Sequence, residues 1–218
     1  MGKEQKYNES ITEAVLDRQE RFDPETLRLL TYGKPGDICQ IDGQDFPSGR
    51  LGNMSGGFHF TLLNLKWYSS EHLYLCGEWS RNNERCFEVQ QYVREMKSGD
   101  YAWRCSKAKY RNDIRPDFPL FRHQWMLWCV WQKCRLNEAF AELLKSVPDD
   151  VVIVEVVQRN DLVWATNLDE NGILLGGNAM GKILTICRRH LLNGTTPNID
   201  TDLLNDSNIH ILGKKILF

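Results

Sequence analysis

Apolar residues recur along this 218-residue chain in two periods, and each period predicts its own kind of element. Ile11, Val15 and Leu16 fall at helical spacing behind Ser10 and Glu13, which have the capping-box separation of a helix start. Asp23-Pro24 is a helix-opening pair, so a second short helix is expected to bury Leu27, Leu29 and Leu30 and to stop at Gly33. The stretch Tyr32–Gly57 is rich in glycine and reads as loop. Phe58–Trp67 alternates and reads as a strand or extended segment. Ser69-Ser70 can cap a helix opening at Glu71 and running toward Trp79, and Arg85–Met96 predicts another, stopped by Gly99.

Pro119 suits the first turn of a long helix over Leu120–Leu136, with a shorter one behind it over Ala139–Leu144. Val151–Val157 is short, β-branched and bounded by Asp149-Asp150 and Asn160-Asp161, the marks of a strand. Asn178–Leu192 predicts a helix with Arg188, Arg189 and His190 in its last turns and Gly194 as its stop. Ile209–Phe218 reads as a last strand or a packed extension. Together these elements predict an α+β fold that is mainly α-helical, with a small β-sheet and an N-terminal helical extension.

Composition changes this picture little. With 42% hydrophobic and 26% charged residues the chain can bury one sizeable core, so one main domain with appended segments is expected. A net charge of −2 and a pI near 6.2 leave no overall basic surplus, so a nucleic-acid substrate would have to be read locally in a cleft. The longest apolar runs are too short to span a bilayer, and no membrane partner is expected. Cys39, Cys76, Cys86, Cys105, Cys129, Cys134 and Cys187 are odd in number and contain no C-x-x-C pair. Following a polar start with no signal peptide, they are expected to be reduced thiols, mostly buried, in a cytoplasmic protein.

Several constellations could carry chemistry, each with a plainer alternative. Glu71 stands at a helix start, where the dipole and free N–H groups favour an anion. Such a carboxylate suits the oxocarbenium character that builds on a sugar when a ribosyl–nitrogen bond breaks, or it is simply a first-turn Glu. Glu155 ends a strand and Asp161 follows in the next loop, ahead of Trp164, which can stack on a base or cover a ribose; Asp161 can equally cap a turn. Gly176-Gly177-Asn178-Ala179-Met180-Gly181 runs straight into a helix and can bring backbone N–H groups to a phosphate, or be a glycine-rich turn. It is neither a P-loop nor a dinucleotide fingerprint.

Trp125, Trp128 and Trp131 recur every three residues and fit an aromatic core face better than a stacking platform. Lys107, Lys109, Arg111 and Arg115 form a local basic cluster, read as a loop that either meets phosphates or is merely solvated. His59, His72, His123, His190 and His210 lack metal-ligand spacing, so neither a metal nor a cofactor is expected.

The order of these signals carries more than any of them alone. Leu51-Gly52-Asn53-Met54 is followed by Trp67, Ser70-Glu71-His72-Leu73-Tyr74, Glu155, Asp161, Trp164, Gly177-Asn178-x-x-Gly181 and Arg188. Over roughly residues 40–193 this order resembles the NADAR family of N-glycosidases and ADP-ribosyl-guanine hydrolases. The resemblance implies three regions: an N-terminal helical extension over 1–38, a NADAR-like catalytic domain over 39–195, and a C-terminal extension over 196–218 packed on the domain. It implies hydrolysis of N-ribosyl bonds, with ADP-ribose or ADP-ribosylated guanine in nucleic acid as the ligand. A cognate ADP-ribosyltransferase toxin would be the partner; a second branch of the family acts on phosphorylated ribosylamino intermediates of riboflavin synthesis.

Carried over by residue, Glu71 is the lead catalytic carboxylate and Asp161 assists it. Asn53, Trp67, His72, Tyr74 and Trp164 would shape the ribose and base site. Gly177, Asn178, Gly181 and Arg188 would serve the phosphate side or hold its loop. Many relatives carry a lysine seven residues after the helix-start Glu, where this chain has Glu78. An amine able to trap an opened sugar as a Schiff base would then come from Lys107 or Lys109, or the reaction is direct hydrolysis. A binding-only sensor of NAD or ADP-ribose is the alternative from a different class.

Overall fold

The computed structural model describes Leu16, residues 18–158 and residues 162–218. In chain order the elements are β1 (Glu20–Phe22), β2 (Leu29–Tyr32), β3 (Cys39–Ile41), β4 (Gln44–Phe46), β5 (Phe60–Leu62), β6 (Leu65–Trp67), α1 (Ser70–Glu78), α2 (Glu84–Glu95), α3 (Gly99–Tyr110), α4 (Arg122–Leu136), α5 (Glu138–Lys145), β7 (Val152–Glu155), β8 (Thr166–Leu168), β9 (Leu174–Gly176), α6 (Ala179–Asn193), α7 (Thr201–Asp206), β10 (His210–Ile211) and β11 (Lys214–Lys215). The fold is α+β and mainly helical, with its strands in small sheets, as the periodicity predicts. No helix of the described residues is long and apolar enough to cross a membrane. The chain divides into two compact units, Met1–Gly52 with Ala141–Asn198 and Asn53–Phe140 with Ile199–Phe218.

In the first unit β2 and β7 run parallel, in register from Leu29↔Val152 to Tyr32↔Glu155. Strands β1, β9 and β8 form an antiparallel sheet, and Phe22, Val154 and Leu174 make a buried cluster. The short helix expected after Asp23-Pro24 does not form. Leu27 N–H closes a single turn on Asp23 O (2.9 Å), and Leu29–Tyr32 then enters β2. The reason is tertiary: pairing with β7 buries Leu30 and Tyr32 together, and residues two apart share a face in a strand but not in a helix. Of the helix expected behind Ser10, only Leu16 is described, and it is fully buried; the rest lies outside the described residues.

In the second unit β5 and β6 form a hairpin whose turn residues, Leu63 and Asn64, have φ of 59° and 62°. A two-residue turn with both central residues left-handed matches the twist of the flanking strands. Helix α1 is buried along all nine of its residues, so it is the axis of the unit. A Cβ at Gly77 would stand 2.1 Å from Trp125 Nε1, so only glycine lets α4 lie this close to α1. Trp125 Nε1 donates to Tyr74 O (3.0 Å), and Trp125 and Trp128 stack at 5.0 Å. The tryptophan row is therefore a core face.

Gly99, expected to stop a helix, instead opens α3, with Ser98 Oγ accepting from Tyr101 N–H as its cap. A Cβ there would approach Met54 Cα to 2.9 Å, so the glycine is needed for close packing. As a result Lys107 and Lys109 lie on a helix and not in a loop, and Arg111 sits in the 3-10 turn that follows. The C-terminal residues close the unit as the β10–β11 hairpin. Gln90 of α2, fully buried, ties it down: Nε2 donates to Cys76 O, Trp79 O and His210 O, and Oε1 accepts from Leu212 N–H.

Candidate functional site

Helix α1 begins at Ser69, whose backbone is extended but whose hydroxyl does not cap the helix. That hydroxyl is committed to His72 Nδ1 at 2.8 Å, while His72 Nε2 lies 2.7 Å from Met96 O. A carbonyl only accepts, so Nε2 carries the proton and Nδ1 accepts from Ser69. Burial pushes the His72 imidazole below its ordinary pKa, which favours this neutral form, with the Met96 carbonyl opposing it. Both ring nitrogens are thus engaged by protein groups.

One residue further, Glu71 is 2% exposed. Asn53 grips it from the preceding loop. Glu71 N–H and Ser70 Oγ donate to Asn53 O (3.1 and 3.3 Å), and Asn53 Nδ2 donates to Glu71 Oε2 at 2.5 Å. Tyr74 and Glu78 follow Glu71 at three and seven residues, on the same face of α1. The Tyr74 phenol is held well above its ordinary pKa, first by burial and then by Glu78 and Glu71. Burial also raises Glu78, and Lys107 Nζ, 2.5 Å away, pulls it back.

The remaining predicted residues of this unit are placed less openly. Trp67 is buried, its Nε1 donating to Leu62 O (3.2 Å) across its own hairpin, with Arg94 over its ring. Lys109 lies over the rings of Tyr92 and Tyr110 at 4.8 and 5.0 Å. Arg115, counted in the basic cluster, is a buried tie. It forms a fork to Asp117 and reaches Ser80 Oγ and Ser207 O.

In the first unit the glycine motif meets α6. The N–H groups of Gly177, Asn178, Ala179 and Met180 donate to Leu162 O, Ala165 O, Val163 O and Trp164 O. These donors are spent on the loop that carries Trp164. Asn178, left-handed at φ 50°, lays its side chain against β7: Oδ1 accepts from Glu155 N–H (2.9 Å) and Nδ2 donates to Ile153 O (2.8 Å). A Cβ at Gly181 would stand 2.1 Å from Ile153 O. Asn178 and Gly181 therefore dock the start of α6 on β7. Arg188 pairs with Asp149 at 2.5 Å, and Asp161 lies outside the described residues.

Two features here left no mark in the sequence. Lys182, buried in α6, reaches Glu20 at 3.3 Å and donates to Arg18 O, although a lysine in that helix reads as a solvent position. A groove of about 1170 Å³ runs along β2, lined from Arg28 and Val151 at one end to Lys34 and Gln158 at the other, with Ile38 and Leu168 exposed on it. Among the described residues, none of those carried over as catalytic or substrate-binding lines it. Among the described residues no three His, Cys, Asp or Glu side chains gather as a metal site.

The E. coli protein YbiA, solved by NMR, superimposes on this chain with a TM-score of 0.57 at 18% identity, over 77% of this chain and 86% of YbiA. The fold is similar to that of YbiA. This supports the NADAR-like fold that the motif order implies. No family model and no curated protein matches the sequence. On the YbiA-like fold, Asn53, Glu71, His72 and Tyr74 gather around the first turns of α1, with Glu78 and Lys107 at its far end. Glu155, Asn178 and Gly181 gather where α6 meets β7.

Proposed function

We propose that this chain is an N-glycosidase that removes ADP-ribose from modified guanine bases in nucleic acid, reversing a cognate ADP-ribosyltransferase toxin. The observation that carries the reading is Glu71, a carboxylate almost wholly out of water in the first turn of a buried helix. Burying an anion costs several kcal/mol unless its surroundings compensate. Here the helix start and the Asn53 amide do so. Its place within a YbiA-like fold, in a Ser-Glu-His segment of NADAR-like order, adds to this.

In the reaction the bond between ribose C1′ and the guanine nitrogen breaks, and its electron pair leaves on the base. Glu71 stabilises the oxocarbenium-like ribosyl and orients a water, which adds to C1′ and gives up a proton. The leaving nitrogen takes up a proton in turn, so that water is split across the broken bond. If an amine takes part, Lys107 is better placed than Lys109, because its Nζ already reaches α1 through Glu78.

The test is release of free ADP-ribose from guanine-ADP-ribosylated single-stranded DNA, wild type against Glu71→Gln. We expect release by the wild type and a loss of about 10²-fold or more in the variant. Equal release by both removes Glu71 from the mechanism; no release by the wild type removes this substrate. Borohydride added during turnover traps an adduct on Lys107 if the amine forms a Schiff base. Undiminished turnover without an adduct means direct hydrolysis.

A further inference from the structure

We infer that Asn53 is a positioning residue for Glu71, not a contact to the substrate; this rests on Glu71 being the reactive carboxylate. Three hydrogen bonds join the Asn53 residue to the start of α1, two accepted by its backbone carbonyl and one donated by its side chain. The carbonyl contacts fix where Asn53 sits. The next residue, Met54, is locked in turn, its backbone packed so tightly on Gly99 that a Cβ there would come within 2.9 Å. With the backbone fixed from both sides, the short Asn side chain delivers its amide to Glu71 Oε2.

The chemistry of that contact runs one way. A side-chain NH2 donates and cannot accept, so it favours the ionised carboxylate and opposes a proton on the oxygen it faces. It also restrains the carboxylate oxygen it faces, which bears on where a water held by Glu71 would stand. Asn53 is 7% exposed, and His72 beside Glu71 has both ring nitrogens engaged. Asn53 is thus a polar group of this turn that acts directly on the carboxylate.

Asn53→Asp keeps the backbone contacts and the side-chain size but sets a second carboxyl against Glu71. We expect kcat to fall about tenfold or more, KM to stay within about threefold, and the acid limb of the kcat profile to move to higher pH, because like charges resist a second ionisation. Asn53→Ala should lose less, and should not move the acid limb as far. The substrate is guanine-ADP-ribosylated single-stranded DNA, with Glu71→Gln run alongside. A wild-type kcat and acid limb in Asn53→Asp, with Glu71→Gln inactive, overturns the positioning role and leaves the role of Glu71 standing. Full activity in Glu71→Gln overturns both. An NMR titration of the intact chain needs no turnover and no Asn53 variant. The Asn53 side-chain amide resonances should shift with pH in the wild type and stay flat in Glu71→Gln; flat resonances in both also overturn the proposal.

Discussion

Asn178 offers a sharp choice between a ligand contact and a docking piece. In the structure its side chain completes the edge of β7 with two hydrogen bonds, from Glu155 N–H and to Ile153 O, while its backbone is left-handed. Asn178→Ala removes both bonds, worth about 1 kcal/mol each. It also forces a Cβ-bearing residue without a stabilising side chain into the left-handed region, costing about 1 kcal/mol more. The sum is about 3 kcal/mol, or a fall in Tm of roughly 6–12 °C for a chain of this size. Asn178→Gly loses the bonds but not the backbone fit, so it should cost about 2 kcal/mol. Thermal and urea melts of the two variants give both numbers, and titration with ADP-ribose gives the affinity. Docking predicts lost stability in that order with affinity for ADP-ribose nearly unchanged. Variants as stable as the wild type but unable to bind ADP-ribose would refute the reasoning and make Asn178 a phosphate contact.

Two further predictions concern stability. Burial lowers the folded-state pKa of His72, so the native state binds fewer protons there than the unfolded chain does. Its contribution is therefore whole above the ordinary imidazole value of 6.5 and is lost as the pH falls below it. Melts from pH 8 to pH 5 should show a decline that is shallower in His72→Gln, and parallel declines would refute it. Gln90→Met removes the bonds to Cys76, Trp79, His210 and Leu212. Denaturation midpoints should show a cost of about 2–4 kcal/mol, and a loss under 1 kcal/mol would show that the β10–β11 hairpin is held by other means.

What the sequence reveals depends on how local each cause is. Helices α1, α4 and α6 were legible because their signals lie within a turn or two of their ends, though not always in the role read: Ser69 precedes α1 but its hydroxyl goes to His72, Pro119 sits in a separate 3-10 turn ahead of α4, and Gly194 ends α6 as expected. Strand β2 was not, because Leu-Leu-Thr-Tyr serves a helix or a strand equally and its partner β7 is far along the chain. Gly99 was misread for a related reason. A glycine ends helices often, but here its missing Cβ admits Met54, a contact that only the folded chain contains. The β8–β9 hairpin went unread in the sequence, although the turn bonds that Asp169 and Gly172 make in it are local.

The candidate site divides along the same line. Asn53 and Glu71 were both singled out, yet the bond between them spans 18 residues of loop and hairpin and leaves no spacing to read. Gly177-Asn178-x-x-Gly181 has one appearance for two jobs, a phosphate cradle or a tightly docked helix start. Only the acceptors of the Gly177 to Met180 N–H groups, found in the 162–165 loop, tell which job they do here.

The route of the chain through its two units bears on how it must be made. The first unit needs β2 beside β7, and the second needs Gln90 beside His210, 120 residues later. Contacts so distant in sequence slow folding, because long loops must close before they are rewarded. During synthesis β2 emerges long before its partner, and buried helix α1 waits for the hairpin that closes its end. The first unit cannot mature before β7 is made, nor the second before the β10–β11 hairpin is. The emerging chain must therefore carry exposed strand edge and apolar helix faces until those distant partners follow, the interval in which such chains aggregate or rely on a chaperone.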